Sequence, residues 1–173
     1  MTTEVEKVRK ALAELLQLPL SVIKKKWELD FFSYVIDLAP TTAGATTTGS
    51  FLVQSDSAFA ITRTTYVAST TTNVGAAGLQ PYGSGVDAAI VPFVIRMIDS
   101  GAGRQLSSAE VHIDNWFGTA MRPFLWPQPK FLDPNSQFTL EARDLGSTAR
   151  NLRFAFHGFK IFGDWGEFIA RNK

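Results

Sequence analysis

Apolar residues at the start of the chain recur with a helical period. Val5, Val8, Leu12, Leu15 and Leu16 fall at i, i+3, i+7, i+10 and i+11, which lines one face of an α-helix. Thr3 stands where an N-cap belongs, and Glu6 three residues on completes a capping box. Glu6 and Lys10 are spaced for an i, i+4 pair on the wet side, and Pro19 ends the segment. Leu20 to Trp27 is short, apolar and then basic, with Lys24, Lys25 and Lys26 in a row.

After Trp27 the period changes to two. Glu28 to Leu38 reads as a strand buried on both sides, because Phe31, Val35 and Leu38 interleave with Phe32, Tyr34 and Ile36. Phe51 and Val53 begin a second strand, and Phe59, Ile61 and Arg63 carry a third out to Tyr66 and Val67. Ala89 to Ile98 is a further strand, in which Pro92 points to an edge or a bulge. Phe138, Leu140 and Ala142 alternate with Thr139, Glu141 and Arg143, the pattern of a half-buried antiparallel strand. In the last strand Leu152, Phe154 and Phe156 share a face, whereas Phe159 and Ile161 point the other way. Gly158 stands at that change, so a β-bulge is expected there to restore the inward face.

Thr41 to Ser50 and Ser69 to Gly85 hold few large apolar residues and read as surface loops. Gly118 to Asn135 differs in kind. Its four prolines argue against a sheet ladder, yet it carries Met121, Phe124, Leu125, Trp126, Phe131 and Leu132 and must lie against something. Seven or eight strands with no helix among them predict an all-β antiparallel sandwich. A jelly roll is the preferred version, since long irregular crossings suit two sheets. Residues 1–27 form a helical arm and residues 28–173 the β domain in this reading.

Composition removes several classes. A chain of 173 residues can bury a core of its own, and with no Cys it holds no disulfide framework, thiolate zinc site or thiol nucleophile. A net charge of +1 is too small for the basic field of a nucleic-acid binder. The N-terminus lacks an apolar signal core, and the longest apolar run, Ala88 to Ile95, is far shorter than a membrane span. The expectation is a soluble single domain with neither nucleic acid nor membrane as partner.

Candidate chemistry is sparse. His112 and Asp114 lie at strand spacing and would share a face, as a metal or base–orienter pair does, but no third ligand follows at a recognisable spacing. A structural pair is the plainer reading. His157 stands opposite the Phe154/Phe156 face as an outward strand residue. No G-x-S-x-G elbow is present, and the SGAGR run at Ser100 to Arg104 lacks the G-K-[ST] ending of a phosphate loop and reads as a hairpin turn. No catalytic, metal-binding or cofactor-binding residue is assigned.

Contact chemistry is better represented. Trp116, Phe117, Met121, Arg122, Phe124 and Trp126 bring the residue types favoured at interfaces into eleven positions, and Phe131 follows shortly after. With Trp165 the same aromatics would also suit a sugar-stacking platform; a contact surface is the preferred reading. Residues 1–27 hold six basic and three acidic groups, so the helix is a cationic arm that folds back on its own body or docks on a neighbour through Val5, Val8, Leu12, Leu15 and Leu16.

The segments GRQLSSAEV (Gly103 to Val111), FGTAMRPFLWPQPKFLDPNS (Phe117 to Ser136) and LRFAFHGFKIF (Leu152 to Phe162) together resemble small structural proteins of tailed-bacteriophage virions. The likeness covers roughly the C-terminal third. It implies a non-enzymatic virion component, made in the host cytoplasm: a capsid decoration or cement protein or minor head protein, with a neck, collar or tail accessory as the alternative. It further implies contacts with major capsid or neck and tail proteins, and carries over no catalytic residue. A jelly-roll glycan or receptor-binding module is the competing reading. Self-association as a homodimer or homotrimer is expected, since linked copies add up by avidity.

Overall fold

The structure, a computed structural model, describes residues 3–38, 44–69, 93–101, 103–146 and 151–163, without the side chains of Leu16, Lys25 and Ser69. The expected loop beyond Ser69, Pro92 with the start of its strand, and Trp165 lie outside the described residues.

Two helices open the chain, α1 (Glu4–Leu16) and α2 (Leu20–Lys26). Thr3 caps α1 as its spacing predicts, accepting a hydrogen bond from the Glu6 amide at 3.3 Å. The stop comes before Pro19: Gln17 takes a left-handed conformation (φ 54°) and Leu18 N–H returns to Ala13 O, so that Pro19 begins α2 instead. Glu6 meets Arg9 at 3.6 Å and Lys24 of α2 at 3.2 Å, not the expected Lys10.

The strands among the described residues are β1 (Glu28–Leu38), β2 (Thr46–Leu52), β3 (Ala58–Ser69), β4 (Phe93–Asp99), β5 (Arg104–Gln105), β6 (Val111–His112), β7 (Phe124–Leu132), β8 (Gln137–Asp144) and β9 (Asn151–Phe162). They form two antiparallel sheets, one in the order β1-β9-β3-β7 and the other β2-β8-β4-β5, with β6 also on β4. Strict alternation of buried and half-buried residues along β4 and along β8 from Phe138 to Asp144 follows the period of two in their sequences.

One core fills the space between the sheets. Phe138 of β8, Phe51 of β2 and Phe156 of β9 meet there with ring centroids 5.1–5.4 Å apart, and Phe117 and Phe154 close the cluster. A second core lies on the other side of β9. There Val8, Leu12, Ile23 and Trp27 of the helices cover Ala58, Ala60, Phe159 and Ile161.

This second core corrects two expectations. β9 is regular against β1 from Leu152 to Phe162 and has no bulge at Gly158, because the face carrying Phe159 and Ile161 has its own cover in the helices. The register shift falls instead on β3, between Ile61 and Arg63, directly beside Gly158. β1 in turn is an edge strand, and one of its faces is open, with Phe31 53% exposed.

Two stretches whose composition predicts irregular chain also enter the sheets. Thr46 to Ser50 belong to β2, paired with β8. The Pro-rich connector contains β7, which pairs with β3 at Phe124–Leu125 and again at Lys130–Leu132. Between those anchors residues 126–129 bow out opposite the single residue Thr62, and Pro127 and Pro129 sit in the bow, where no ladder hydrogen bond is required.

Candidate functional site

The connector between β6 and β7 is built to hold a short turn rigidly. Gly118 N–H donates to Thr64 O at 3.2 Å, and Tyr66 N–H donates to Gly118 O at 2.8 Å. Thr64 Oγ1 also donates to Trp116 O. A Cβ at position 118 would lie 2.0 Å from Arg122 O and 2.5 Å from Phe124 N, so only glycine lets the returning chain close down here. Arg122 N–H then closes the turn on Thr119 O at 3.2 Å. Met121 stands at its tip, 94% exposed, and Arg122 beside it is exposed as well.

The other sequence-assigned contact residues divide. Phe117 is only 2% exposed and packs edge-on against Phe154 and Phe156, so it is a core residue and no contact surface. Trp116, Phe124 and Trp126 are half-buried and pack on one another, the two indoles 5.0 Å apart and tilted by 49°. Phe131 is half-buried against the helix-covered core. Leu125, absent from the sequence-based assignment, is 59% exposed; its place in a strand of alternating exposure is masked in the sequence by the prolines around it.

Helix α1 is folded onto its own body. Val8 and Leu12 are fully buried against sheet residues and Val5 packs beside them, so these three do not form a docking face while the helix stays in place. Leu15 remains 42% exposed, and the Leu16 side chain is outside the described residues. Between α1 and the bow of β7 runs a groove of about 480 Å³ with Leu15, Leu125, Trp126, Pro127 and Phe131 on its apolar side and Glu4, Lys7, Lys10 and Glu14 along the helix wall.

Both histidines have local roles. His112 caps the 3-10 turn Ile113–Asn115, its Nδ1 accepting from Asp114 N–H at 3.4 Å, so the pair does not lie along one strand as expected. Asp114 in turn accepts from Tyr66 Oη at 3.1 Å. Among the described residues no group of three His, Asp or Glu is placed to hold a metal ion.

His157 lies between two hydroxyls, with Ser33 Oγ 2.8 Å from Nδ1 and Thr65 Oγ1 3.0 Å from Nε2. A neutral imidazole satisfies both by donating to one and accepting from the other. Partial burial, and secondarily the nearby Arg63 guanidinium, hold its pKa below the ordinary value of 6.5, against a smaller opposing pull from Glu4. The unfolded chain therefore takes up this proton first as pH falls. This contribution to stability is whole above about pH 6.5 and is lost below it. His157→Gln is expected to flatten that part of the stability–pH profile, as read by thermal melting between about pH 5 and 8.

No protein-family model, no curated protein and no solved structure matches the chain.

Proposed function

We propose that the chain is a non-enzymatic structural protein of a virus particle, one that binds and stabilises neighbouring subunits in the manner of a capsid decoration or cement protein. The observation that carries this reading is the turn at Thr119–Arg122. It presents an almost wholly exposed methionine on backbone stapled to β3. A flexible apolar side chain on a rigid mount loses little conformational entropy when it enters a neighbour's pocket, which is what an interface anchor requires.

Two further features support it. The strand orders β1-β9-β3-β7 and β2-β8-β4-β5 suit a jelly-roll sandwich, an architecture used by viral capsid domains. The resemblance of the three C-terminal segments to tailed-phage structural proteins points the same way. Residues of one strand, β7, and of the turn leading into it supply the contact surface.

Purified particles from a producing host provide the test. The chain is expected in many copies per particle, by mass spectrometry and imaging. Met121→Asp is expected to lower its incorporation about tenfold or more while leaving the melting temperature unchanged, since burial of the anchor contributes on the order of 1.5–3 kcal/mol. Absence of the chain from particles, or full incorporation of the variant, would overturn the reading.

A further inference from the structure

We propose that the groove between α1 and β7 is closed by a second copy of this chain, with the two α1 helices antiparallel across a twofold axis. The inference rests on the proposed role, in which the protein works through contacts with other subunits.

The helix wall of the groove carries Glu4, Lys7, Ala11 and Glu14 at helical spacing, flanked by Lys10. Glu4 faces Arg63 at 3.9 Å. Lys7 and Glu14 are exposed and form no ion pair among the described residues. Glu14 also stands in the last turn of α1, where no basic residue offsets the negative end of the helix dipole. A cation brought there from outside satisfies it.

The Lys7 and Glu14 pair is complementary to itself when reversed. Lys7 and Glu14 are seven residues apart, about 10.5 Å along the axis. An antiparallel second α1 therefore sets Lys7 opposite Glu14 of the second copy and Glu14 opposite Lys7 of the second copy, with Lys10 and Ala11 of both copies near the crossing. A parallel arrangement sets like charge against like and is disfavoured. Beneath the charges, the half-exposed Leu15 and Leu125 offer apolar surface to be covered. Pro127 and Pro129 have no N–H to give an added strand, so the occupant is held by side chains, as a helix is. The contact is isologous and closes at two copies.

Sedimentation and light scattering of the full chain at micromolar concentration test this. The wild type is expected to be a dimer. Lys7→Glu and Glu14→Lys, each alone, reverse two symmetry-related pairs and are expected to weaken association about tenfold or more at low salt. An equimolar mixture of the two single variants is expected to form a heterodimer, because Glu at position 7 of one then faces Lys at position 14 of the other, and the reverse. Circular dichroism melts of both variants, unchanged from wild type, exclude unfolding as the cause. A monomeric wild type, a dimer indifferent to both reversals, or a mixture that fails to re-associate overturns the proposal. Failure here leaves incorporation into particles through Met121 standing, whereas an intact dimer never found in particles overturns only the assembly reading.

Discussion

Gly158→Ala is expected to destabilise the protein by about 3 kcal/mol or more, a large effect for one added methyl group. A Cβ at this position would lie 1.8 Å from Ala60 O and 2.8 Å from Ala60 C, both backbone atoms of the central strand β3. A flexible side chain can swing away from such a contact, but a carbonyl in a ladder moves only with its strand. The position lies where β3 shifts register between Ile61 and Arg63, with the extra residue Thr62 bonded through its hydroxyl to His157 O at 3.3 Å. Separation of β3 from β9 there would loosen both cores at once, since β9 has one core on each face. For a domain of this length the melting temperature is expected to drop on the order of 6–12 °C. A variant that melts within a degree or two of wild type would show that the close approach is not required.

Phe156→Ala comes next, with an expected loss of about 3–5 kcal/mol in denaturant unfolding. The ring touches aromatic neighbours from the facing sheet and the connector: Phe51 of β2, Phe138 of β8 and Phe117, all with centroids within 5.4 Å. Truncation leaves a cavity walled by strands that are tied into ladders, so collapse around it is limited and the cost stays near the upper end of the range. Trp126→Ala, at the half-buried margin of the same core, is expected to cost less, because its ring already has one side near solvent. Equal losses at the two positions would mean that Trp126 is as much a part of the core as Phe156.

Much of the local structure is legible in the sequence because it depends on near neighbours in the chain. The capping of α1 by Thr3 and the span of β1 from Glu28 to Leu38 match what the residues predict. So do the alternation along β8 and the hairpin turn after Asp99, since the side chains that decide these lie within a few positions of one another. The departures share a cause. A bulge at Gly158 follows only if every large apolar residue of β9 must face one core, and the second core is supplied by helices more than a hundred positions away. Prolines forbid a ladder in a central strand, whereas β7 lies at an edge and bows where they occur. Composition groups Phe117 with its surface neighbours, although the chain there has already turned inward.

The candidate site is legible in part for the same reason. Met121 and Arg122 stand out by composition, and a turn between two glycine- and proline-marked positions is a local matter. The rigidity of that turn is not, because it comes from hydrogen bonds to Thr64 and Tyr66, more than fifty residues earlier. The groove beside α1 is likewise invisible in the chain order, since its two walls are separated by over a hundred residues.

By itself, then, the sequence determined the type and period of α1, β1, β3, β4, β8 and β9, and a mostly β body behind a short helical start. These follow from side-chain alternation and from residue types, which act locally. Only the tertiary structure decided that β9 has a core on each face, that α1 is docked with Val8 and Leu12 covered, and which apolar residues of the connector reach the surface. Burial is a property of what lies across the sheet or beneath the helix, and that partner is chosen by the whole chain closing on itself.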